Sequence, residues 1–365
     1  MNCKICKSIE YIEILNKENT PIWTGSSEEC YDYFPCHLKQ CTDCGHVYQE
    51  VPLILSEKLK KIYESNHAQV STPLGSGNWG LSRALWFLEK LNYKLYTSAI
   101  EIGCADGFIL KFLESNGYNK LIGIEPSLPR SIKVGKIEFI NVFVDETTSL
   151  NSKVELIYSN GVLEHIENVN GILHFSKNHL TDDGELFFTV PNAERELDKA
   201  DVCLFLHEHV HHYTKDVITH MLAINGFKVN LISEDCSALY VSASLDKAIE
   251  PLLKPINLYS NYSKLLNQKL EGFNKIIDSS ANIIIHGVNN KLNNILGWSK
   301  QNISFTLVDN DDKKHGQYFF GRRVQNIKDL DLKEYDCVII IPTCFYEAIK
   351  SEYMEYGFTG KIYNI

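Results

Sequence analysis

No apolar run in this 365-residue sequence reaches the length of about 18 residues that a membrane helix needs, and the opening Met-Asn-Cys-Lys-Ile-Cys has no signal-peptide core. The expectation is a cytoplasmic protein with no membrane partner. Positive charge is also in short supply: 36 Lys and Arg against 46 Asp and Glu leave a net charge of −10, with no basic stripe, which argues against nucleic acid as a partner. There is no low-complexity run and no internal repeat beyond a strand–helix rhythm. What remains is ordinary: 44% hydrophobic residues over this length allow two or three domains with full cores. Eleven cysteines in a long cytosolic chain read, where they cluster, as metal ligands before disulfides.

The chain is organised around residues 98–107, Ser-Ala-Ile-Glu-Ile-Gly-Cys-Ala-Asp-Gly, a short apolar strand running into a glycine-rich turn. A helix follows, with Ile109, Leu110, Phe112 and Leu113 on one stripe and Gly117 as its stop. Gly103 and Gly107 let a ligand approach the backbone. Glu125 ends the next apolar strand, where an open α/β sheet presents a carboxylate to a ribose diol. The G-x-G-x-x-G of dinucleotide sites is missing; the pattern is Glu101-x-Gly103-x-x-x-Gly107, with Cys104 and Asp106 inside the turn. Acidic groups repel a pyrophosphate and suit a ligand bearing an ammonium and a sulfonium. The pattern resembles the first motif of class I S-adenosylmethionine-dependent methyltransferases. Residues 154–160 as a strand ending in Asn160, 161–166 as a helix start, and 184–191 as a buried strand match that family's fourth and fifth strands in order and spacing. The resemblance implies S-adenosyl-L-methionine as methyl donor, held by Glu101, Gly103, Cys104, Asp106, Gly107, Glu125 and Asn160. An unrelated doubly wound domain without a methyl donor is the alternative.

Taken from its start, the chain shows Cys3-Lys-Ile-Cys6, answered by Cys41-Thr-Asp-Cys44-Gly45. Two C-x-x-C turns complete a tetrahedral thiolate site with no open position, so the reading is a structural Zn²⁺ on Cys3, Cys6, Cys41 and Cys44 in a zinc ribbon. Cys30 and Cys36 between them read as packing or spare thiols. Residues 52–96 read as helices broken by a Gly/Ser loop at 72–80, then an amphipathic stretch at 81–91. Tyr63, before the break, is either helix packing or a substrate-site hydroxyl. After the central segment, 228–244 read as closing antiparallel strands with Val229, Leu231, Leu239 and Val241 alternating, and 248–279 as a helical connector. A second βαβ series follows, with strands at 281–287, 303–309 and 336–342 and helices at 291–298 and 346–356. Its first turn, His-Gly-Val-Asn-Asn-Lys, lacks dinucleotide glycines, so no nicotinamide is expected despite Asp309. A substrate-nucleotide clamp and a packing or assembly role are both open for it. The fold class is thus α/β: a zinc ribbon in 1–55, a class I, Rossmann-like methyltransferase domain with a helical lead-in in 56–245, and a connector with a smaller Rossmann-like α/β domain in 246–365.

This arrangement resembles the zinc-module-containing sugar C-methyltransferases that act on nucleotide-linked keto sugars. In that family a His-Glu-His stretch after the fifth strand carries the catalytic base, and here the stretch is Leu206-His207-Glu208-His209, with Leu where the family usually has Tyr. The resemblance implies a sugar-nucleotide acceptor, His209 as base and Glu208 orienting it or holding a sugar hydroxyl; Tyr63, His165 and His207 are the further candidates for contact with the acceptor. The same stretch through His211 spells H-E-x-x-H, which binds a catalytic zinc only on a helix; the helix signal starts later, at Thr214 as N-cap with Gly226 as stop. His211, His212 and Tyr213 read singly as hydrogen-bonded structural groups. O- or N-methylation of another small acceptor, and a non-catalytic binding protein with a degenerate core, are the alternatives.

Overall fold

The computed structural model describes residues 2–22, 32–64, 73–202, 206–235, 238–246, 256–299, 303–319 and 321–365, with backbone only at 32, 62–64 and 73–79. The chain opens with strands β1 (Tyr11–Ile22), β2 (Asp32–Cys41) and β3 (Val47–Gln49) and helices α1 (Leu53–Glu64) and α2 (Pro73–Lys90). Next come β4 (Ser98–Ile102), α3 (Phe108–Ser115), β5 (Lys120–Ile124), β6 (Ile132–Val134), β7 (Ile137–Ile140), β8 (Val154–Asn160), α4 (Val169–His179) and β9 (Leu180–Pro191). They are followed by α5 (Ala193–Lys199), β10 (His211–His212), α6 (Lys215–Ile224), β11 (Phe227–Glu234) and β12 (Ala238–Leu245). The remainder holds α7 (Tyr262–Asp278), β13 (Ile283–His286), α8 (Asn290–Trp298), β14 (Thr306–Val308), β15 (Tyr318–Phe319), β16 (Arg322–Gln325), β17 (Cys337–Ile340), α9 (Tyr346–Glu355) and β18 (Lys361–Asn364). No described helix is long and apolar enough to cross a membrane.

Two compact units interleave in sequence: Met1–Glu13, Leu38–Arg195 and Glu208–Leu258 form the first, and Ile14–His37, Glu196–His207 and Tyr259–Ile365 the second. The sequence reading puts boundaries at 55 and 245; the first unit runs through both.

The first unit is built on an eight-stranded sheet ordered β11-β12-β9-β8-β4-β5-β7-β6. β4 pairs parallel with both β5 and β8, so the strand order reverses direction there and the loops after β4 and β8 flank one crevice. β12 enters antiparallel beside β9. Alternate residues of the strands feed two cores. On one face Ile100, Ile102, Ile122 and Ile124 pack with Ile172 and Phe175 of α4 and Ile218 and Met221 of α6. On the other, Ala99, Leu121 and Leu156 pack with Phe87 and Leu88 of α2 and Leu110 and Leu113 of α3. The first face also takes in Cys3, Ile5, Cys41 and Tyr48, so both cysteine turns belong to the core of the sheet instead of forming a module of their own.

Four local expectations change. α2 runs through the Gly/Ser stretch read as a loop, starting on Pro73, whose missing N–H costs nothing in a first turn. Residues 161–166 are not a helix start: Gly161 sits at φ 68°, and α4 begins at Val169, with the Asn168 side chain accepting from Gly171 N. The carbonyls of Leu163, Glu164 and Ile166 are instead claimed by groups of residues 211 and 213. In β11 the register shifts between Val229 and Leu231, which turns Leu231 out to 59% exposure and breaks the expected alternation. Among the described residues the connector helix is α7; residues 248–255 of the expected helix lie outside them.

The second unit carries a six-stranded sheet ordered β15-β16-β14-β13-β17-β18, with β13 parallel to both β14 and β17. Its core joins Ile284, Val308, Val338 and Ile340 to Ile349 and Tyr353 of α9.

Candidate active site

The turn after β4 places three residues of five in the left-handed region: Gly103 at φ 75°, Ala105 at 47° and Gly107 at 70°. It is tied down by hydrogen bonds from Gly103 N and Cys104 N to the Ile124 carbonyl, at 2.8 and 3.2 Å. Glu125, buried at the end of β5, accepts from Ala105 N on Oε2 (3.2 Å) and from Ser127 N on Oε1 (2.9 Å). One carboxylate thus holds both loops and keeps lone pairs for a ligand diol. A Cβ on Gly103 would come 2.5 Å from Val162 Cγ2, and one on Gly107 2.6 Å from the Phe139 ring, so neither position takes a side chain.

Glu101 lies behind the turn, buried and accepting from the Tyr158 hydroxyl at 3.1 Å. Burial, with Asp106 and Glu125 nearby, pushes its carboxyl well above the usual carboxylate range. None of Glu101, Asp106 and Glu125 forms an ion pair among the described residues. With the Glu101 carboxyl held toward its neutral form, Asp106 and Glu125 are the acidic groups that remain to suit the turn to a cationic ligand. Asp106 also caps α3 by accepting from Phe108 N at 3.1 Å. Cys104 is buried, with its sulfur 2.7 Å from where a Cβ on Gly123 would stand; its thiol packs the turn onto β5, and burial raises its pKa. Asn160 accepts from the Thr189 hydroxyl at 2.7 Å and so fixes the end of β8 against β9.

Across the crevice, ligand-capable atoms of Glu164, His165 and His209 lie within 4.8 Å of one another. The His165 and His209 rings meet edge to face with centroids 4.8 Å apart. His165 Nδ1 is 3.0 Å from the Glu208 carbonyl, which can only accept, so Nδ1 carries the hydrogen and Nε2 is the bare nitrogen. That Nε2 faces Glu164 Oε1 at 3.8 Å. Burial lifts the Glu164 carboxyl to about 8, partly opposed by a backbone hydrogen bond and the Arg83 charge. Its Oε2 has no hydrogen-bond partner among the described residues. Burial and the neighbouring His212 hold the His209 imidazole down at about 3, which keeps it unprotonated throughout the neutral range.

A sequence model described as a methyltransferase domain matches residues 58–231, and one described as C2185-like, N-terminal, matches residues 279–362. The chain carries a methyltransferase domain. No curated protein matches its sequence. Among solved structures, the methyltransferase is similar to an S-adenosylmethionine-dependent methyltransferase from Mesorhizobium loti: 15% identity, 47% of this chain, 100% of that chain, TM-score 0.39. One from Clostridium acetobutylicum matches at 12% identity over 45% of this chain and 90% of that chain, TM-score 0.36. The N-methyltransferase NodS from Bradyrhizobium japonicum, in complex with S-adenosyl-L-homocysteine, matches at 16% identity over 50% of this chain and 97% of that chain, TM-score 0.37.

Elsewhere in the methyltransferase the four named cysteines converge. Their sulfurs all lie within 4.8 Å of one another, with Cys3–Cys44 and Cys6–Cys41 at 3.6 Å. A tetrahedron with metal–sulfur bonds of about 2.3 Å has edges of about 3.8 Å, so the donor set fits zinc. The two turns repeat one backbone design. Lys7 N and Gly45 N each donate to the carbonyl of the first cysteine of their turn, at 3.0 Å, and both residues are left-handed. Cys3 N donates to the Ser8 carbonyl and Cys41 N to the His46 carbonyl in the same way. Cys36 is buried, its thiol pushed up to about 12, and Cys30 lies outside the described residues.

The other candidates do not gather at the crevice. His207 is buried in the second unit, with Nε2 3.1 Å from the Thr20 carbonyl and 3.2 Å from that of Phe34; both carbonyls accept only, so this ring nitrogen is used up in tying backbone. The H-E-x-x-H stretch is not helical, and His211 lies in β10. The Tyr63 side chain lies outside the described residues. Two functional candidates have no counterpart in the sequence reading. Glu164 falls inside a stretch read as a helix start; His46 directly follows Cys44-Gly45, an adjacency to a metal-ligand turn that was the available signal.

Proposed function

We propose that the methyltransferase alkylates a carbon next to the carbonyl of a nucleotide-linked keto sugar, with His209 as general base and a structural zinc on Cys3, Cys6, Cys41 and Cys44. The observation that supports this reading is the Glu164–His165–His209 cluster, at the carboxyl end of β8 and beside the donor turn after β4. S-adenosylmethionine, when bound, supplies a methyl group already activated on a sulfonium. The chain's own task is therefore alignment and removal of one proton. The turn at 103–107 and Glu125 hold the donor, and Asp106 adds negative charge near its cationic end. His209, free of a proton at neutral pH, accepts the one leaving the acceptor carbon. The Glu208 carbonyl fixes the His165 ring beside Glu164 and His209.

His209→Asn tests this. The variant is expected to keep its affinity for S-adenosylhomocysteine and its melting temperature while turnover on a nucleoside-diphosphate keto sugar falls at least about a hundredfold. Near-normal turnover would move the base elsewhere. Because the imidazole is already deprotonated well below neutrality, His209 sets no acid limb near pH 6.5 in the rate profile.

A further inference from the structure

Four rings and one loop connect the cysteine cluster to the acceptor side of the crevice, all within the first unit. Cys3 Sγ lies 3.6 Å from His46 Nδ1, His46 Nε2 lies 3.0 Å from His211 Nδ1, and His211 Nε2 lies 2.8 Å from the Ile166 carbonyl. Both imidazoles are buried and stacked, with centroids 5.0 Å apart, between Tyr48 and Tyr213. His211 grips the loop twice. Its backbone N–H donates to the Glu164 carbonyl at 3.2 Å and its ring N–H to that of Ile166, which brackets His165 between two held peptide groups. The Tyr213 hydroxyl takes the Leu163 carbonyl at 3.1 Å. From the other side, Asn170 Nδ2 donates to the carbonyls of Lys4 and Ile5, inside the first cysteine turn.

A loop without helix or strand bonds of its own has its backbone set by whatever claims its carbonyls. Here the claimant is a stacked ring pair: with the Nε2–H of His211 given to Ile166, His211 Nδ1 accepts from His46 Nε2–H, and His46 Nδ1 packs without a hydrogen against the metal-ligand sulfur of Cys3. We propose that His46 and His211 are positioning residues, through which the geometry of the four-cysteine cluster determines where Glu164 and His165 stand. Such a partner outside the ligand set is the ordinary way a metal site is oriented by its surroundings; in this chain the same contact runs onward to the crevice. That the positioned side chains serve the acceptor rests on the reading given under Proposed function, but the positioning itself does not.

The experiment uses the full chain loaded with zinc, then with cadmium, whose bonds to sulfur are longer, in the wild type, His46→Gln and His211→Gln. Metal content, S-adenosylhomocysteine affinity, the ¹⁵N resonances of the His165 ring and hydrogen exchange across 161–168 are read. In the wild type, exchange of zinc for cadmium shifts the His165 resonances and changes exchange at 161–168. In His46→Gln the cluster still holds one metal and donor affinity stays within about twofold, but the response at His165 is lost. His211→Gln shows exchange at 161–168 faster by about tenfold or more with zinc on, and His211→Ala is faster still. If His211 variants do not fold, His46→Gln, which leaves both His211 bonds in place, decides alone. A wild type whose His165 is blind to the metal, or a His46→Gln that responds as the wild type does, overturns the proposal. A turnover defect missing from His209→Asn would overturn the acceptor reading and leave the positioning intact.

Discussion

Glu164→Gln isolates one buried titration. The carboxyl is pushed from the ordinary 4.5 to about 8, mainly by burial. A group whose folded pKa is raised contributes stability that is fully present below its unfolded pKa and lost as pH rises through the folded one. At about 1.4 kcal/mol per pH unit between those limits, the wild type loses on the order of 2.5 kcal/mol between pH 5 and pH 7, and about 1 more by pH 8. Glutamine has the same shape and no proton to lose, so the variant skips that loss. Its stability relative to the wild type should therefore climb by about 2.5 kcal/mol from pH 5 to pH 7, whatever the offset between the two proteins at pH 5. Urea unfolding at pH 5, 6, 7 and 8, with the metal retained, gives that difference directly. A difference constant within about 0.5 kcal/mol across the range would refute the argument and show that Glu164 is ionised in the native protein at pH 5.

The other expectations concern the donor turn and the cysteine cluster. Gly103→Ala meets both a left-handed backbone and Val162 at 2.5 Å, and should cost about 2–4 kcal/mol in chemical denaturation while weakening S-adenosylhomocysteine binding. Glu125→Gln puts an NH₂ against one of two backbone N–H donors, at Ala105 or Ser127; calorimetry should show affinity for S-adenosylhomocysteine reduced about 10- to 100-fold, and undiminished affinity would remove Glu125 from the donor site. Metal analysis of protein purified without chelator should find one zinc per chain. Because Cys3 and Cys41 pack with the central sheet, stripping that zinc should lower the melting temperature of the sheet itself, followed by near-ultraviolet dichroism, and not merely loosen residues near the amino terminus.

Some local signals were enough to read the structure, while the Gly/Ser stretch at 72–80, read as a loop, is continuous with helix α2. The strand at 98–102, the turn with Gly103 and Gly107, the cap at Thr214 and the cysteine pairs are written in neighbouring residues. Long-range claims on the backbone are not. The segment at 161–166 has the composition of a helix start, and what keeps it from being one is a pair of residues some fifty positions later that take its carbonyls. The same distance hid Glu164, whose importance comes from burial beside His165 and His209, and His46, whose partner is 165 positions away. His207 and His209 are two residues apart and lie in different compact units, a divergence that spacing alone gives no means to foresee.

The cysteine turns also set an order of events during synthesis. Cys41 and Cys44 leave the ribosome some forty residues after Cys3 and Cys6, yet the core that encloses Cys3 and Cys41 is closed by Ile218, Met221 and Leu222 of α6 and Leu239 of β12. At about 5–20 residues per second, the thiols therefore wait on the order of ten seconds or more in a nascent chain that has no finished pocket to shelter them. In that interval they are open to oxidant and to competing metals. The chain's yield of active protein is thus expected to respond to zinc supply and redox conditions while it is being made, and to be indifferent to the same conditions once α6 has docked.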